Sequence, residues 1–526
     1  MNPWLKSRIF APKRIGVFLL FFILPTLVIF SADKFTDPDA LYHIRHAWIY
    51  RTQSLADSSF PWVQFSAIKT AAADLWYGFH ILLFPATYGR DLGLNLKIAG
   101  AILAGLMLLS FYHLLKKQKI SWPLLWTLIL YFSSTDFFLR ANSSRPQTIS
   151  FALLALLLAI LNSSAVKNNN WRRLLWIGTI GAIAAWIHAA FFWIFIAAMI
   201  ARFISKVLVK KDFIPSELGA LILGQLVGLV SRPNPAGIFD LLRTQLFRLA
   251  SEKQKVALLF GQDILPLTWA GFIYQLVPFS VLLLTVLFLA WKFRKKPSPN
   301  TSPENKIILL ESLFMISIFG ILTITTARRA SDVAVFYGII LAAIIMEKVR
   351  QNWRRRRTLF GILLIFLSIL AVRHLYTFRE HLRSFSAVPA DRFKEVALWL
   401  KANTAPGTIV FHPVWDSFPS LFFWNQQNYY INGMDPIFEY VFSPRLYWKN
   451  HNLAVSGKMY TCETPPPCDP EKSFDILQVI RRDFKSNYVA LDLVRNATLA
   501  RNLAADARAS LVIRGSDTAL FKIDSE

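Results

Sequence analysis

Cysteine is nearly missing from this chain: 526 residues carry two, Cys462 and Cys468, six positions apart across Thr464-Pro465-Pro466-Pro467. No further ligand at metal-binding spacing accompanies them, which argues against a zinc site. An oxidising compartment would close them into a local disulfide, and a reducing one would leave two thiols. Acidic residues are also scarce, 32 Asp and Glu against 58 Lys and Arg, for a net charge of +26. Such a surplus invites a nucleic-acid reading, but its placement excludes one. The cations cluster in short loops between apolar runs, such as Lys6 to Arg14, Lys116 to Lys119, Lys167 to Arg173, Lys292 to Lys296 and Arg354 to Arg357. Short basic loops are retained on the cytoplasmic side during insertion, so they record topology, with some attraction for anionic lipids. Internal repeats are lacking too, which disfavours a transporter built from two related halves. Low-complexity sequence is confined to a Pro/Ser stretch at 297–303.

What the chain has in excess is apolar residues, 54% of the total. Soluble proteins average about 45–50%. Apolar runs recur through the first 370 residues at lengths able to cross a hydrocarbon core of about 30 Å. Taken with the basic loops, they predict about eleven crossings, at 15–31, 92–115, 122–134, 148–164, 174–188, 189–205, 214–231, 271–291, 307–326, 333–347 and 358–372. The N-terminus is then cytoplasmic, and residues after 373 lie outside. The run at 75–88 is not counted, because a crossing there would invert every later basic loop; it is expected to be an interfacial or re-entrant helix. The first segment has a basic leader but no small-x-small cleavage pattern, so it is expected to be an uncleaved anchor.

Beyond about residue 385 the long apolar runs stop. Helical spacing is expected at 391–403, 473–485 and 496–506, and strands at 408–411, 488–492, 510–514 and 518–523. Such alternation reads as an α/β domain. The expected architecture is a polytopic α-helical membrane domain, 1–372, whose first external loop is 32–91, followed by an extracytoplasmic α/β domain, 373–526. The predicted localisation is a bacterial-type inner membrane.

The polar residues gather on the outer face of that topology. The first external loop holds Asp37, Asp39, His43, Arg45, His46, Asp74 and His80, and the next turn holds Asp136, Arg140 and Arg145. His188 lies in a tight outer turn, Gln262 and Asp263 precede Pro266, and Arg328-Arg329 occupies a short external turn. Ionisable groups at a membrane edge cost free energy unless they line a wet, functional site. Two arginines placed against the positive-inside bias suit an anion, and a phosphate matches a guanidinium fork. A carboxylate beside them can deprotonate an acceptor nucleophile or hold a divalent cation, Mg or Mn, against a leaving phosphate.

Asp39 with Tyr42, His43 and Arg45 resembles the Asp-Pro-Tyr-Tyr-His-x-Arg pattern in the first external loop of oligosaccharyltransferase catalytic subunits, which are GT-C-fold glycosyltransferases. Segments such as Trp415-Asp416-Ser417-Phe418-Pro419 and Tyr430-Ile431-Asn432-Gly433 also look like parts of uncharacterised bacterial GT-C-like proteins. The resemblance implies a GT-C membrane glycosyltransferase, inverting if it acts by single displacement, that takes a sugar from a polyprenyl-phosphate carrier and passes it to an unidentified acceptor. It makes Asp39 the catalytic base or metal ligand, with Asp37 in support. Arg140, Arg145, Arg328 and Arg329 become contacts of the donor phosphate, and His43, Arg45, Asp74, His80 and His188 surrounding groups. The chain departs from the family pattern in its second external loop, where no Asp-x-Glu acidic motif accompanies Asp136, and Trp415-Asp416 only partly echoes the acceptor-binding motif. Protein O-mannosyltransferases and lipid-A aminoarabinose transferases share the GT-C plan with an early Asp or Asp-Glu.

Blander roles fit some of these residues. Asp37-Pro38-Asp39 would cap a helix starting near Ala40, His188 would pack, and Arg140 and Arg145 would snorkel to headgroups. A lipid or polysaccharide transporter or flippase, and a non-catalytic membrane scaffold, are the rival functions.

Overall fold

The structure is a computed structural model that describes residues 12–162, 170–210, 215–255, 258–261, 263–292, 303–352, 356–384 and 387–524. Gln262, the basic leader at Lys6 and Arg8, and the Pro/Ser stretch up to residue 302 lie outside these residues. Contacts divide the chain into two compact units. The first comprises 1–32, 97–229 and 262–383; the second comprises 33–96, 230–261 and 384–526.

The first unit is helical. Each predicted crossing overlaps helical residues, from Pro12–Ile29 to Arg356–Arg383, though 122–134 holds only the nine-residue Pro123–Tyr131 and 271–291 is broken between two helices. Five helices among the described residues are long and apolar enough to span a bilayer: Leu92–Lys117, Ala189–Lys210, Pro303–Thr325, Arg328–Gln351 and Arg356–Arg383. The number rises to seven if two bent pairs each count as one span. Thr135–Ala141 meets Pro146–Leu161 at 101°, and Trp269–Gln275 meets Val277–Lys292 at 71°. The first bend has a local cause. Pro146 opens its helix and holds Arg145 in an extended conformation, because the proline ring clashes with a preceding α-helical residue.

Two helices of this unit, Asn170–Ile187 and Pro215–Val230, approach through small residues. A Cβ on Gly224 would stand 2.0 Å from the Gly178 carbonyl oxygen, and one on Gly228 2.1 Å from that of Ala182. Glycine four residues apart on one face lets two backbones touch, the small-xxx-small device of membrane helices.

The second unit gathers three separated stretches around a five-stranded sheet. Its order is Tyr429–Tyr430, Ile409–Phe411, Ser486–Asp492, Thr518–Ile523, Ala509–Arg514. The first three strands are parallel and the last two antiparallel. The predicted strands and the helices Lys394–Asn403, Ile476–Arg482 and Ala497–Ala505 are present at the expected places. Phe411, Ile431, Leu477, Ile480, Phe484, Val489, Leu499 and Phe521 form the buried core.

The first loop is tied into this sheet. Tyr430 N–H donates to Trp62 O at 2.7 Å, Gln64 N–H to Tyr430 O at 2.8 Å and Phe65 N–H to Ile431 O at 2.8 Å, which adds an edge segment. Lys34–Phe35 pairs antiparallel with Val388–Pro389. Residues 230–261 are fastened to the same loop by Arg232 Nη1, which donates to Asp74 O at 2.9 Å, and by Asn234, which donates to Ala71 O at 2.8 Å. The expected helix around 75–88 is a six-residue helix, Tyr77–Leu82, followed by a 3-10 turn at Phe84–Thr87, much too short to cross a bilayer. Cys462 and Cys468 form a disulfide.

Candidate functional site

The first-loop motif forms the helix Asp39–Thr52. It starts at Asp39 because Asp37 Oδ1 accepts the Asp39 N–H at 3.0 Å, a short-range cap. Asp37 therefore does the capping work, and Asp39 stands in the first turn, where a carboxylate is favoured by the helix dipole. Helical periodicity puts Asp39 and His43 on one face, one turn apart.

His43 belongs to a buried chain of hydrogen bonds. His43 Nδ1 lies 2.9 Å from His80 Nε2, and His80 Nδ1 lies 2.6 Å from Asp74 Oδ2. Tyr50 OH donates to the same Asp74 oxygen at 3.1 Å, and the Trp76 N–H donates to Asp74 Oδ1 at 2.8 Å. A carboxylate only accepts, so His80 Nδ1 carries a proton. The His43 Nδ1–His80 Nε2 contact continues the chain from there, one ring donating and the other accepting. Beside this chain, His46 Nδ1 lies 2.9 Å from Tyr42 OH. His46, His80 and Asp74 are all buried, packed with Tyr42, Phe60 and Tyr50.

Burial sets the titration of these groups. It lowers the His46 imidazole to about 3, with His80 adding to the effect. It pushes the Tyr42 phenol well above its ordinary value, helped by the charges of Asp74 and Asp39. For Asp74 burial pushes upward, yet His80, His46 and the hydrogen bonds from His80 and Trp76 outweigh it, leaving the carboxyl well below the usual range.

His46, Asp74 and His80 present donor atoms within 4.8 Å of one another, a metal-capable trio among the described residues. Two imidazoles and one carboxylate suit zinc better than Mg or Mn, which prefer oxygen ligands. Within the trio only His80 and Asp74 are bonded to each other; His80's other ring nitrogen meets His43, and His46 Nδ1 meets Tyr42. Asp39, the residue expected to bind a metal, is not among the three.

Arg45 lies on the same first-loop helix, in the second unit, and the remaining candidates lie in the first unit. Asp136 accepts from Arg328 in a fork, Nε to Oδ2 at 2.6 Å and Nη2 to Oδ1 at 2.9 Å, and from Arg140 at 3.2 Å. Arg140 also donates to Asp332 at 2.6 Å, and Arg329 pairs with Asp263. His188 stacks on Phe191, with ring centroids 5.3 Å apart, and its Nδ1 lies 3.4 Å from Ser150 Oγ. Sequence reasoning missed the carboxylate partners of these arginines and missed Tyr50; it named Tyr42 and His46 in the first loop but not their hydrogen bond to each other. The Tyr42/His46 spacing of four was a readable signal; the approach of Asp74 and His80 to that helix was not.

No protein-family model matches the chain, and no curated protein does. Solved structures do. ArnT from Cupriavidus metallidurans in its apo state is 11% identical, with a TM-score of 0.55 over 97% of this chain and 98% of that one. The same protein bound to undecaprenyl phosphate is 10% identical, with a TM-score of 0.58 and the same coverage. Across nearly its whole length the chain is thus similar in fold to ArnT, a GT-C-fold glycosyltransferase.

Proposed function

We propose that this chain is a multi-pass membrane glycosyltransferase that moves a sugar from a polyprenyl-phosphate carrier to an extracytoplasmic acceptor, with Asp39 as general base. The observation that carries the reading is the fold likeness to ArnT over 97% of the chain, in a protein solved with undecaprenyl phosphate. The placement of Asp39 supports the assignment: it starts the first-loop helix, one turn before an imidazole anchored through His80 to Asp74. That the first loop and the residues after 384 share one compact unit supports their lying on one side of the membrane.

In the proposed reaction the Asp39 carboxylate takes the proton of the acceptor nucleophile as it attacks the anomeric carbon. The bond from that carbon to the phosphate oxygen breaks, and the carrier phosphate leaves with the bonding pair. A single displacement inverts the anomeric centre. Arg140, Arg145, Arg328 and Arg329 are the proposed donor-phosphate contacts; Arg140, Arg328 and Arg329 would each exchange part of a carboxylate interaction for the phosphate.

The test is carrier release from a panel of polyprenyl-phosphate sugars by the purified full-length chain. Asp39→Asn keeps the shape and the helix start, since Asp37 supplies the cap. It removes the proton acceptor, which typically costs about 10²–10⁴ in rate. The expected variant is folded, inserted and nearly inactive. Wild-type turnover by Asp39→Asn would end the assignment.

A further inference from the structure

Arg45 is a first-loop candidate that the proposed reaction leaves unused, and its surroundings are unlike those of the arginines assigned to the donor. Its guanidinium carbon sits over the Trp48 ring at 5.1 Å and over the Phe423 ring at 5.0 Å. Its Nε is buried with no hydrogen-bond partner, and no described carboxylate pairs with the group. Arg140, Arg328 and Arg329 by contrast are all paired with aspartates. Burial, with nothing to offset it, lowers Arg45 to about 10.

Two aromatic faces hold a planar cation in one orientation at little entropic cost. They supply no counter-charge, so the half-buried guanidinium, whose Nε is buried without a partner, is left open to an anion in the cleft. Arg45 also lines a cleft of about 620 Å³, whose rim carries exposed Asp33, Asp91, Asp391 and Arg90. Carboxylates at an exposed rim accept hydrogen bonds from hydroxyls. A bare anion gains nothing from them, whereas a hydroxyl-rich molecule does.

We infer that this cleft in the second unit is a binding site for a phosphate ester bearing hydroxyl groups, with the phosphoryl oxygens on Arg45 and the hydroxyls on the aspartate rim. The inference does not require glycosyl transfer, and it uses none of the arginines proposed for the donor. The ester can be soluble, as a sugar phosphate, or lipid-borne, as a glycerophosphate headgroup.

Binding to the full-length chain is measured by calorimetry with glucose 1-phosphate in detergent. In parallel, the shift in thermal midpoint is read in nanodiscs of phosphatidylglycerol against phosphatidylcholine. Saturable binding in the first arm marks a soluble ligand, and stabilisation confined to phosphatidylglycerol marks a lipid. Arg45→Met is expected to weaken whichever interaction is seen by about 10- to 100-fold, the usual worth of charge-assisted contacts. Without ligand it should leave the thermal midpoint equal or higher, because it removes a half-buried cation that no described carboxylate pairs and keeps an apolar chain against the two rings. A purely structural Arg45 predicts the reverse, a lower midpoint with binding unchanged.

If Arg45→Met does not fold, phenylglyoxal labelling of the wild-type chain, read by peptide mass spectrometry, replaces it. Either ester should then protect Arg45 from modification. No binding in either arm, or labelling of Arg45 that neither ester slows, overturns the inference. Carrier release in the transfer assay is unaffected by that outcome, so the two readings fail separately.

Discussion

Glu439 offers a direct test of the energetics of the second unit. It lies on the helix Pro436–Phe442 with 2% of its surface exposed. Asn432 Nδ2 donates to its Oε2 at 2.5 Å, and Asn450 Nδ2 at 3.2 Å. Burial pushes the carboxyl up to about 8, against the opposing pull of the two amides. In the unfolded chain the same group ionises near about 4.3. Between these values the folded protein holds a proton that the unfolded chain has lost, so stability falls as pH rises. The contribution is complete below the unfolded value and gone once pH passes the folded one. At about 1.4 kcal/mol per pH unit the window is worth on the order of 5 kcal/mol. Glu439→Gln is neutral throughout and similar in volume. Its new amide donor has acceptors within reach, because Asn432 Oδ1 and Asn450 Oδ1 are buried without partners and either amide can rotate. Denaturant unfolding followed by tryptophan fluorescence should find the variant gaining on wild type as pH rises from about 5 to about 8.5, by several kcal/mol in all. Many other groups titrate across that range, and the difference between the two proteins cancels them. A stability difference that stays flat with pH would refute the reasoning.

Two further perturbations probe the first unit. Asp136→Asn strips the common carboxylate from Arg328 and Arg140, in a pair whose acid is 3% exposed; breaking a buried ion pair costs about 3–5 kcal/mol. Arg328→Ala should cost less, since Arg328 is 21% exposed and Arg140 still neutralises Asp136. Equal thermal midpoints for the two variants would contradict that ordering. Gly228→Leu should prevent the close approach of Asn170–Ile187 and Pro215–Val230, because even a Cβ there meets the Ala182 carbonyl. Gly219→Leu on the same helix meets nothing within 4 Å and should be tolerated. Folded yield on size exclusion and the thermal midpoint separate the two cases.

What the sequence made legible was whatever depends on near neighbours. Apolar runs and basic loops located the helices, since a bilayer imposes length and charge bias residue by residue. The alternation after 385 placed strands such as Ser486–Asp492 and Thr518–Ile523 close to where they lie. Asp39 and His43 sharing a helical face was readable for the same reason. The attachments between distant stretches were not. Trp62 to Phe65 extends the sheet through Tyr430, and Arg232 reaches back to Asp74. Neither stretch has strand-like alternation or a recognisable motif, because backbone hydrogen bonds to a sheet edge make no demand on side-chain type.

The arginines show where local patterns stop being informative. Arg328 and Arg329 read as an anion site because they stand against the positive-inside bias, and Arg140 joins them as a phosphate contact on the same outer face. That bias measures the cost of moving an unpaired charge, and it is silent on whether the folded chain supplies the counter-ion. Asp136 lies 192 residues from Arg328, and Asp263 lies 66 residues from Arg329. No spacing in the sequence announces either pair. Arg45, by contrast, sits inside the motif that carried the family resemblance, yet nothing local shows that its guanidinium meets two rings and no carboxylate. A desolvated cation with its counter-charge inside the protein is satisfied before any ligand binds. One without it keeps an unmet electrostatic demand, and of these four arginines it is Arg45 that carries that demand.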